Sequence, residues 1–222
     1  MGNGVKSFFN DYTRDFAKIS GNVTSIGIDN SSWFEKLLNK LFRKSMSLRF
    51  NQTISEIISA DCESVLDIGC GPGDYSLALR NKNIKDITAL DFSQNMIDFA
   101  NNLEVSMFGD NKIDWRVSDF SNWNSDKTFD ATIIVGVMDY IEDPVTFINS
   151  VFAVCNKVSI FSFPSDKGFL AWQRKIRYKS RCYLRLYSQK ELEVMFKESG
   201  QNFVINQLGR DYLVVVKHFD NE

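Results

Sequence analysis

The residues best placed to do chemistry lie in one short run, Val65-Leu66-Asp67-Ile68-Gly69-Cys70-Gly71-Pro72-Gly73-Asp74-Tyr75. An apolar stretch containing a carboxylate passes into alternating glycines and then into a helix-like segment. Glycines at such a turn permit positive φ and let a ligand come close to the backbone. The helix N-terminus beyond them offers unpaired N–H groups to negative charge. A second apolar stretch ends in Asp91, 24 positions after Asp67. A carboxylate at a strand end can accept hydrogen bonds from both hydroxyls of a ribose, as in dinucleotide folds. These residues predict a nucleoside-cofactor site.

The glycine spacing narrows the cofactor. A dinucleotide fingerprint, G-x-G-x-x-G, would need glycine where this chain has Asp74, and Pro72 sits within the loop. A nicotinamide oxidoreductase is therefore disfavoured. The pattern is D-x-G-x-G-x-G, and in it the chain resembles the class I S-adenosylmethionine (SAM) dependent methyltransferases, whose loop cradles the methionine end of the cofactor. The resemblance continues at Leu90-Asp91-Phe92-Ser93-Gln94-Asn95-Met96, which is similar to the family's D-x-S-x-x-M element. It extends to Trp115-Arg116-Val117-Ser118-Asp119-Phe120, similar to the segment whose Asp reaches the adenine amino group. The fourth-strand element is Val135-Gly136-Val137-Met138-Asp139-Tyr140-Ile141-Glu142-Asp143-Pro144. Residues 60–163 carry most of the likeness. It implies SAM as cofactor, S-adenosylhomocysteine (SAH) as its product, and no metal. The implied cofactor residues are Asp67, Gly69, Cys70, Gly71, Gly73, Asp91, Phe92, Met96, Asp119, Phe120 and Val135, with Asp67 orienting the loop and approaching the methionine amine.

Methyl transfer from a sulfonium is an in-line displacement that relieves positive charge. It needs an acceptor lone pair held in line in a site that excludes water. A general base is required only where the acceptor keeps its proton at neutral pH. Acceptor-side residues are expected just after the fourth strand, at the carboxyl edge of the sheet; Asp139 and Tyr140 are the catalytic candidates. The chain reads Val137-Met138-Asp139-Tyr140 there, without the (D/N)-P-P-(Y/F) motif of amino-group and adenine methyltransferases, and no Pro-Cys pair marks a cytosine C5 enzyme. Phe8, Phe9, Tyr12 and Phe16 resemble the N-terminal helix that caps the cofactor in small-molecule members such as quinone and Mg-protoporphyrin methyltransferases. Core packing is the competing reading, and Tyr12 is the sharper lid candidate. Arg174, Lys175, Arg177, Lys179, Arg181 and Arg185 are interleaved with Tyr178, Tyr183 and Tyr187. They read as a solvated surface, as a pocket for an anionic acceptor, since Arg matches such groups bidentately, or as a contact for RNA or a membrane surface. Tyr12, Arg177, Arg181 and Tyr187 are the substrate-binding candidates.

These groups need a scaffold. Strand and helix patterns alternate over residues 61–163, which predicts a parallel sheet with crossover helices. The expected strands are 64–68, 86–90, 113–117, 130–137 and 158–163. The expected helices are 75–80, 93–102 and 144–155. Ser188 opens a helix with Glu191 in capping-box position, and Gly200 closes it. Two β-rich runs, 203–208 and 212–217, then flank Gly209-Arg210-Asp211, a hairpin signal. The expected fold is α/β: a Rossmann-like, mostly parallel seven-stranded sheet with a terminal antiparallel hairpin, a helical N-terminal extension and an inserted cap. Residues 1–60 are read as the extension or lid, 61–222 as the SAM-binding domain, and 164–187 as the substrate cap.

Composition bounds the alternatives. The 222 residues include 44% apolar side chains, 19 Phe and only three Pro, enough for one packed α/β domain. The net charge of −2 predicts no global pull toward nucleic acid or anionic membrane. Four Cys without a CxxC pair and a single His, His218, argue against a zinc site. No leader pattern or spanning run is evident, so a reduced, cytoplasmic protein is expected. The predicted activity is methylation of a small, anionic or amphipathic metabolite. A methyltransferase acting on RNA or protein is one alternative and a non-catalytic SAM-binding regulator another. Nucleic acid is disfavoured as a partner, and membrane-surface contact stays open.

Overall fold

Strand β1 (Ser64–Ile68) is buried from Val65 to Ile68 and lies inside a sheet that continues on both sides. The computed structural model describes residues 33–124, 126–167 and 183–218, and only the backbone of 33–44. The strands are β2 (Asp86–Asp91), β3 (Asp114–Val117), β4 (Phe129–Ile134), β5 (Cys155–Pro164), β6 (Asn202–Leu208) and β7 (Asp211–Lys217). They form one seven-stranded sheet in the order β3-β2-β1-β4-β5-β7-β6. The first five pair in parallel; β7 runs antiparallel to both β5 and β6. This is the mostly parallel sheet with a terminal hairpin that the alternating pattern predicts. Strand order reverses between β1 and β4, so a crevice opens at their carboxyl ends, the usual ligand position in such sheets.

The described helices are α1 (Trp33–Ser59), α2 (Asp74–Asn81), α3 (Gln94–Phe108), α4 (Pro144–Phe152) and α5 (Gln189–Lys197). Several bounds differ from the sequence reading for identifiable reasons. The β-branched run expected to reach Val137 stops pairing at Ile134, and the chain turns at Gly136. Helix α4 ends at Phe152, before the expected Cys155, because Cys155 already pairs with Phe129 across a register shift and lengthens β5. Helix α3 runs past residue 102 to Phe108 because Glu104 on its inner face is fully buried and satisfied. Its carboxylate accepts from the Arg80 guanidinium, from the N–H groups of Lys112 and Ile113 at 3.0 Å each, and from Trp115 Nε1 at 2.7 Å. One buried acid thus ties α2, α3 and β3 together, which removing any donor would undo.

Helix α1 is fastened to the sheet at the hairpin. Ser45 Oγ donates to the Leu208 carbonyl, Arg49 pairs with Asp211 at 3.0 Å, and Ile57 is fully buried. The core lies on both faces of the sheet, with Leu66, Phe161, Phe163, Phe196 and Tyr212 on one side and Val65, Leu79, Ile133 and Leu213 on the other. Cys62, Cys70 and Cys155 are buried free thiols. Among the described residues no helix is long and apolar enough to cross a membrane, and no group of His, Cys, Asp or Glu could hold a metal ion.

Candidate cofactor and acceptor site

The glycine loop is built by its neighbours. Gly69 and Cys70 donate their N–H groups to the Leu90 carbonyl at 2.8 and 2.9 Å, which folds the loop over the end of β2. Gly69, Gly71 and Gly73 all have positive φ, at 70°, 53° and 86°. At Gly73 a Cβ would run into the Trp115 ring and Ala100, while at Gly69 it would overlap Val137. Both positions need glycine because other protein atoms fill the space. Gly71 differs: among the described residues nothing lies within 4 Å of where its Cβ would stand. Its backbone therefore faces room that the described residues leave free.

Asp91, at the end of β2, is 8% exposed. Its Oδ2 accepts from Gly71 N–H at 2.9 Å and its Oδ1 from Ser93 N–H at 2.8 Å. Burial raises its pKa, and these two donors pull it back down. Among the described residues each oxygen accepts one such bond, which leaves it capacity for another. Asp67, on β1, is 2% exposed and accepts from Ser76 Oγ at 2.7 Å. Burial pushes its carboxyl up to about 7; the Ser76 hydrogen bond opposes this, and the charges of Asp91 and Asp74 reinforce it. The pair of carboxylates and the exposed Asp74 give the crevice a negative field suited to a cationic ligand.

The remaining expected cofactor residues fall around the same strand ends. Met96 is buried in the first turn of α3, and Phe92 and Val135 are half-buried at the ends of β2 and β4. The Cys70 thiol is buried, its pKa held well above the ordinary value by burial and by Asp67. Ser118 N–H donates to the Asp91 carbonyl, which sets the loop after β3 beside the ribose candidate. Half-buried Asp119 caps the short 3-10 turn Phe120–Asn122, accepting from Ser121 N–H at 3.2 Å. Phe120, expected at the adenine, is buried edge-on against Phe147 and beside Trp123. It packs the core under the loop.

The acceptor-side turn follows β4. Gly136 N–H is held by Ser162 Oγ at 2.9 Å, and a 3-10 turn spans Met138–Tyr140. Asp139 is 3% exposed and Tyr140 is buried. Asp139 does not cap α4, since that role belongs to Asp143, whose carboxylate accepts from Thr146 N–H at 3.2 Å and is held below the ordinary carboxylate range by it. Tyr187 requires a correction. Expected to bind substrate, it is fully buried and its hydroxyl donates to the Met138 carbonyl at 3.0 Å. Burial raises its pKa, so it stays a neutral donor. Arg185, the one arginine of the basic segment among the described residues, pairs with Glu191 at 2.7 Å. Tyr12, Arg177 and Arg181 lie outside the described residues, as do Phe8, Phe9 and Phe16.

Ser76 and Ser162 shape the site from outside the motifs, and Trp115 lies within one that assigns it no role. Ser76 alone carries a signal, a small hydroxyl in the first turn after a glycine loop. Trp115 closes against Gly73 only because buried Glu104 holds its indole.

Residues 65–157 match the family described as "Methyltransferase domain". Over that stretch the chain is similar to the methyltransferase domain family. Its fold is shared with magnesium protoporphyrin IX methyltransferase from Synechocystis PCC 6803 with bound SAH: TM-score 0.72, 14% identity, covering 96% of this chain and 100% of that one. It is likewise similar to the plantazolicin methyltransferase BpumL, solved with a desmethyl analogue and SAH, at TM-score 0.64 and 16% identity over 97% of this chain and 96% of that one. A curated relative, a probable (S)-tetrahydroprotoberberine N-methyltransferase of Papaver bracteatum, is 31% identical over 90 residues, 40% of this chain. The match spans 25% of that relative's length.

Proposed function

We propose that this chain is a SAM-dependent methyltransferase acting on a small metabolite, with the glycine loop and Asp91 as its cofactor site. The observation that carries the reading is the pairing of space at Gly71 that the described residues leave unfilled with a buried Asp91 carboxylate whose oxygens each accept one bond from a described residue. A ribose placed there donates two hydroxyls to one fixed carboxylate. Asp67, held by Ser76, faces the methionine ammonium, and Asp119 faces the adenine amino group. SAM supplies an electrophilic methyl group on a cationic sulfonium. The chain's own residues bind and orient: the loop fixes the cofactor, and the Met138–Tyr140 turn, buried beside it, lines the acceptor's approach and keeps water out. Asp139 and Tyr140 are the groups we place nearest the acceptor, Asp139 taking its proton where it has one to lose.

Small-molecule methylation is supported by the likeness to relatives named for magnesium protoporphyrin IX, (S)-tetrahydroprotoberberine and plantazolicin. We place the lid in residues 1–60, with Tyr12, and the acceptor cap in 164–187. Arg177 and Arg181 select an anionic or amphipathic acceptor there. The location is cytoplasmic.

The experiment is methyl transfer from labelled SAM into an extract of the source cells, split by size, with Asp91→Ala as control. Label in the small fraction, lost in the variant, is the expected result. Label confined to macromolecules would replace the metabolite reading with an RNA or protein substrate. SAM binding without any labelling would favour a regulatory binder.

A further inference from the structure

The acceptor-side turn is held from two directions, and the second belongs to no known motif in the chain. On one side Val137 occupies the space that a side chain at Gly69 would need, so the turn rests on the glycine loop itself. On the other, the segment 185–187 crosses it. Arg185 N–H donates to the Asp139 carbonyl at 2.9 Å and Tyr187 Oη to the Met138 carbonyl at 3.0 Å. These are successive carbonyls of a 3-10 turn, which has too few residues to satisfy its own last acceptors. Met138 is fully buried and Asp139 nearly so, leaving little access for water to take the donors' place.

Tyr187 is itself fixed. Its N–H donates to the Pro164 carbonyl and its carbonyl accepts from Asp166 N–H, each at 2.9 Å, so it bridges to the end of β5. Its ring meets Phe163 edge-on at 4.9 Å. The next residue, Ser188, caps α5 through Glu191 N–H, and Glu191 returns to Arg185. The hydroxyl therefore projects from a rigid base onto a backbone atom next to Asp139. Core packing alone would be served by phenylalanine, since Tyr187 sits among Phe163, Met138 and other apolar side chains. The hydroxyl's use is its bond to the turn.

We propose that Tyr187 is a positioning residue: through the Met138 carbonyl it fixes the Met138–Tyr140 turn against the cofactor loop, and so sets the acceptor's line of attack without contributing to cofactor affinity. This role rests on the methyl-transfer reading above.

The test is Tyr187→Phe, which keeps the ring, beside Phe196→Leu, a core change that touches Phe163 and Phe161 but not the turn. SAH binding, followed calorimetrically on the full chain, should stay within about two-fold of wild type in both variants. Transfer of label from SAM into the cell extract should fall roughly ten- to hundred-fold in Tyr187→Phe, because a small misplacement of the reacting groups has that effect. It should remain near wild type in Phe196→Leu even where that variant melts lower. A second readout needs no acceptor: with SAH bound, amides of residues 137–141 should exchange about ten-fold faster in Tyr187→Phe than in Phe196→Leu, with 69–76 unchanged. Equal exchange, or wild-type transfer in Tyr187→Phe, overturns the proposal. Weakened SAH binding in Tyr187→Phe overturns it too, since the residue would then serve the cofactor. A wild-type chain that does not bind SAH defeats the cofactor reading instead.

Discussion

Asp67 is a buried carboxyl with one hydroxyl donor and two acidic neighbours, and its ionisation opposes folding. Its pKa is raised from 3.8 to about 7 in the folded chain. Between those values the folded state takes up a proton that the unfolded state has released, so the folded state is favoured at low pH. The stability contributed by neutral Asp67 is present below pH 4, declines as pH rises toward 7, and is gone above it. Replacement by Asn removes the ionisation. Asp67→Asn should therefore melt higher than wild type at pH 8, with the gap narrowing steadily toward pH 4, in thermal scans of the cofactor-free protein. A pH-independent gap would mean that Asp67 is ionised at little cost. The identity of Asp67 is legible in the sequence because a carboxylate before a glycine loop is a recognisable pattern. Its partner Ser76 is marked only by being a small hydroxyl in the first turn after the loop, a signal that many other uses of serine share.

At the scale of elements, the glycine loop separates two kinds of constraint. Gly73 is confined by Trp115 and Ala100, whereas no described residue stands within 4 Å of a Cβ at Gly71. Gly73→Ala should cost roughly 2–5 kcal/mol, from left-handed backbone strain together with overpacking. Gly71→Ala should cost only about 1–2 kcal/mol from the backbone, yet abolish measurable SAM binding because its methyl would stand where we propose that the ligand lies. Urea melts and calorimetry on the two variants check the contrast; equal destabilisation with equal SAM affinity would contradict it. Strand positions are legible because short β-branched runs alternate with helical spacing. Their ends are not. Gly136 stops β4 early and the Cys155–Phe129 pairing shortens α4, both outcomes of tertiary register that local pattern does not encode. Tyr187 misleads for a related reason: a tyrosine among arginines reads as a surface residue, and only the crossing of 185–187 over the β4 turn buries it.

Across the whole molecule, α1 is joined to the terminal hairpin by charge as well as by packing. Arg49 meets Asp211, whose side chain is 5% exposed, and the structure gives Asp211 a second, longer approach from Arg210 at 3.8 Å. Arg49→Ala should lower stability by about 2 kcal/mol, as expected for losing a hydrogen bond to a charged group, with the effect read as a reduced urea midpoint at unchanged slope. A change within error would mean that Arg210 compensates. The overall topology is legible because every crossover in a parallel sheet follows one hand and the hairpin carries its own turn signal. The attachment of α1 is not, because Ser45 and Arg49 lie about 160 positions from Leu208 and Asp211 and no local pattern links them.

The central claim is that the crevice at Gly71 and Asp91 holds SAM, and calorimetric titration of the full chain with SAM, wild type against Asp91→Ala, tests it most directly. The wild type should show a single site, and the variant a dissociation constant one to two orders of magnitude weaker, corresponding to ~1.5–3 kcal/mol for a charge-assisted ribose contact. An unchanged constant in a folded Asp91→Ala, or no binding by the wild type, would contradict it.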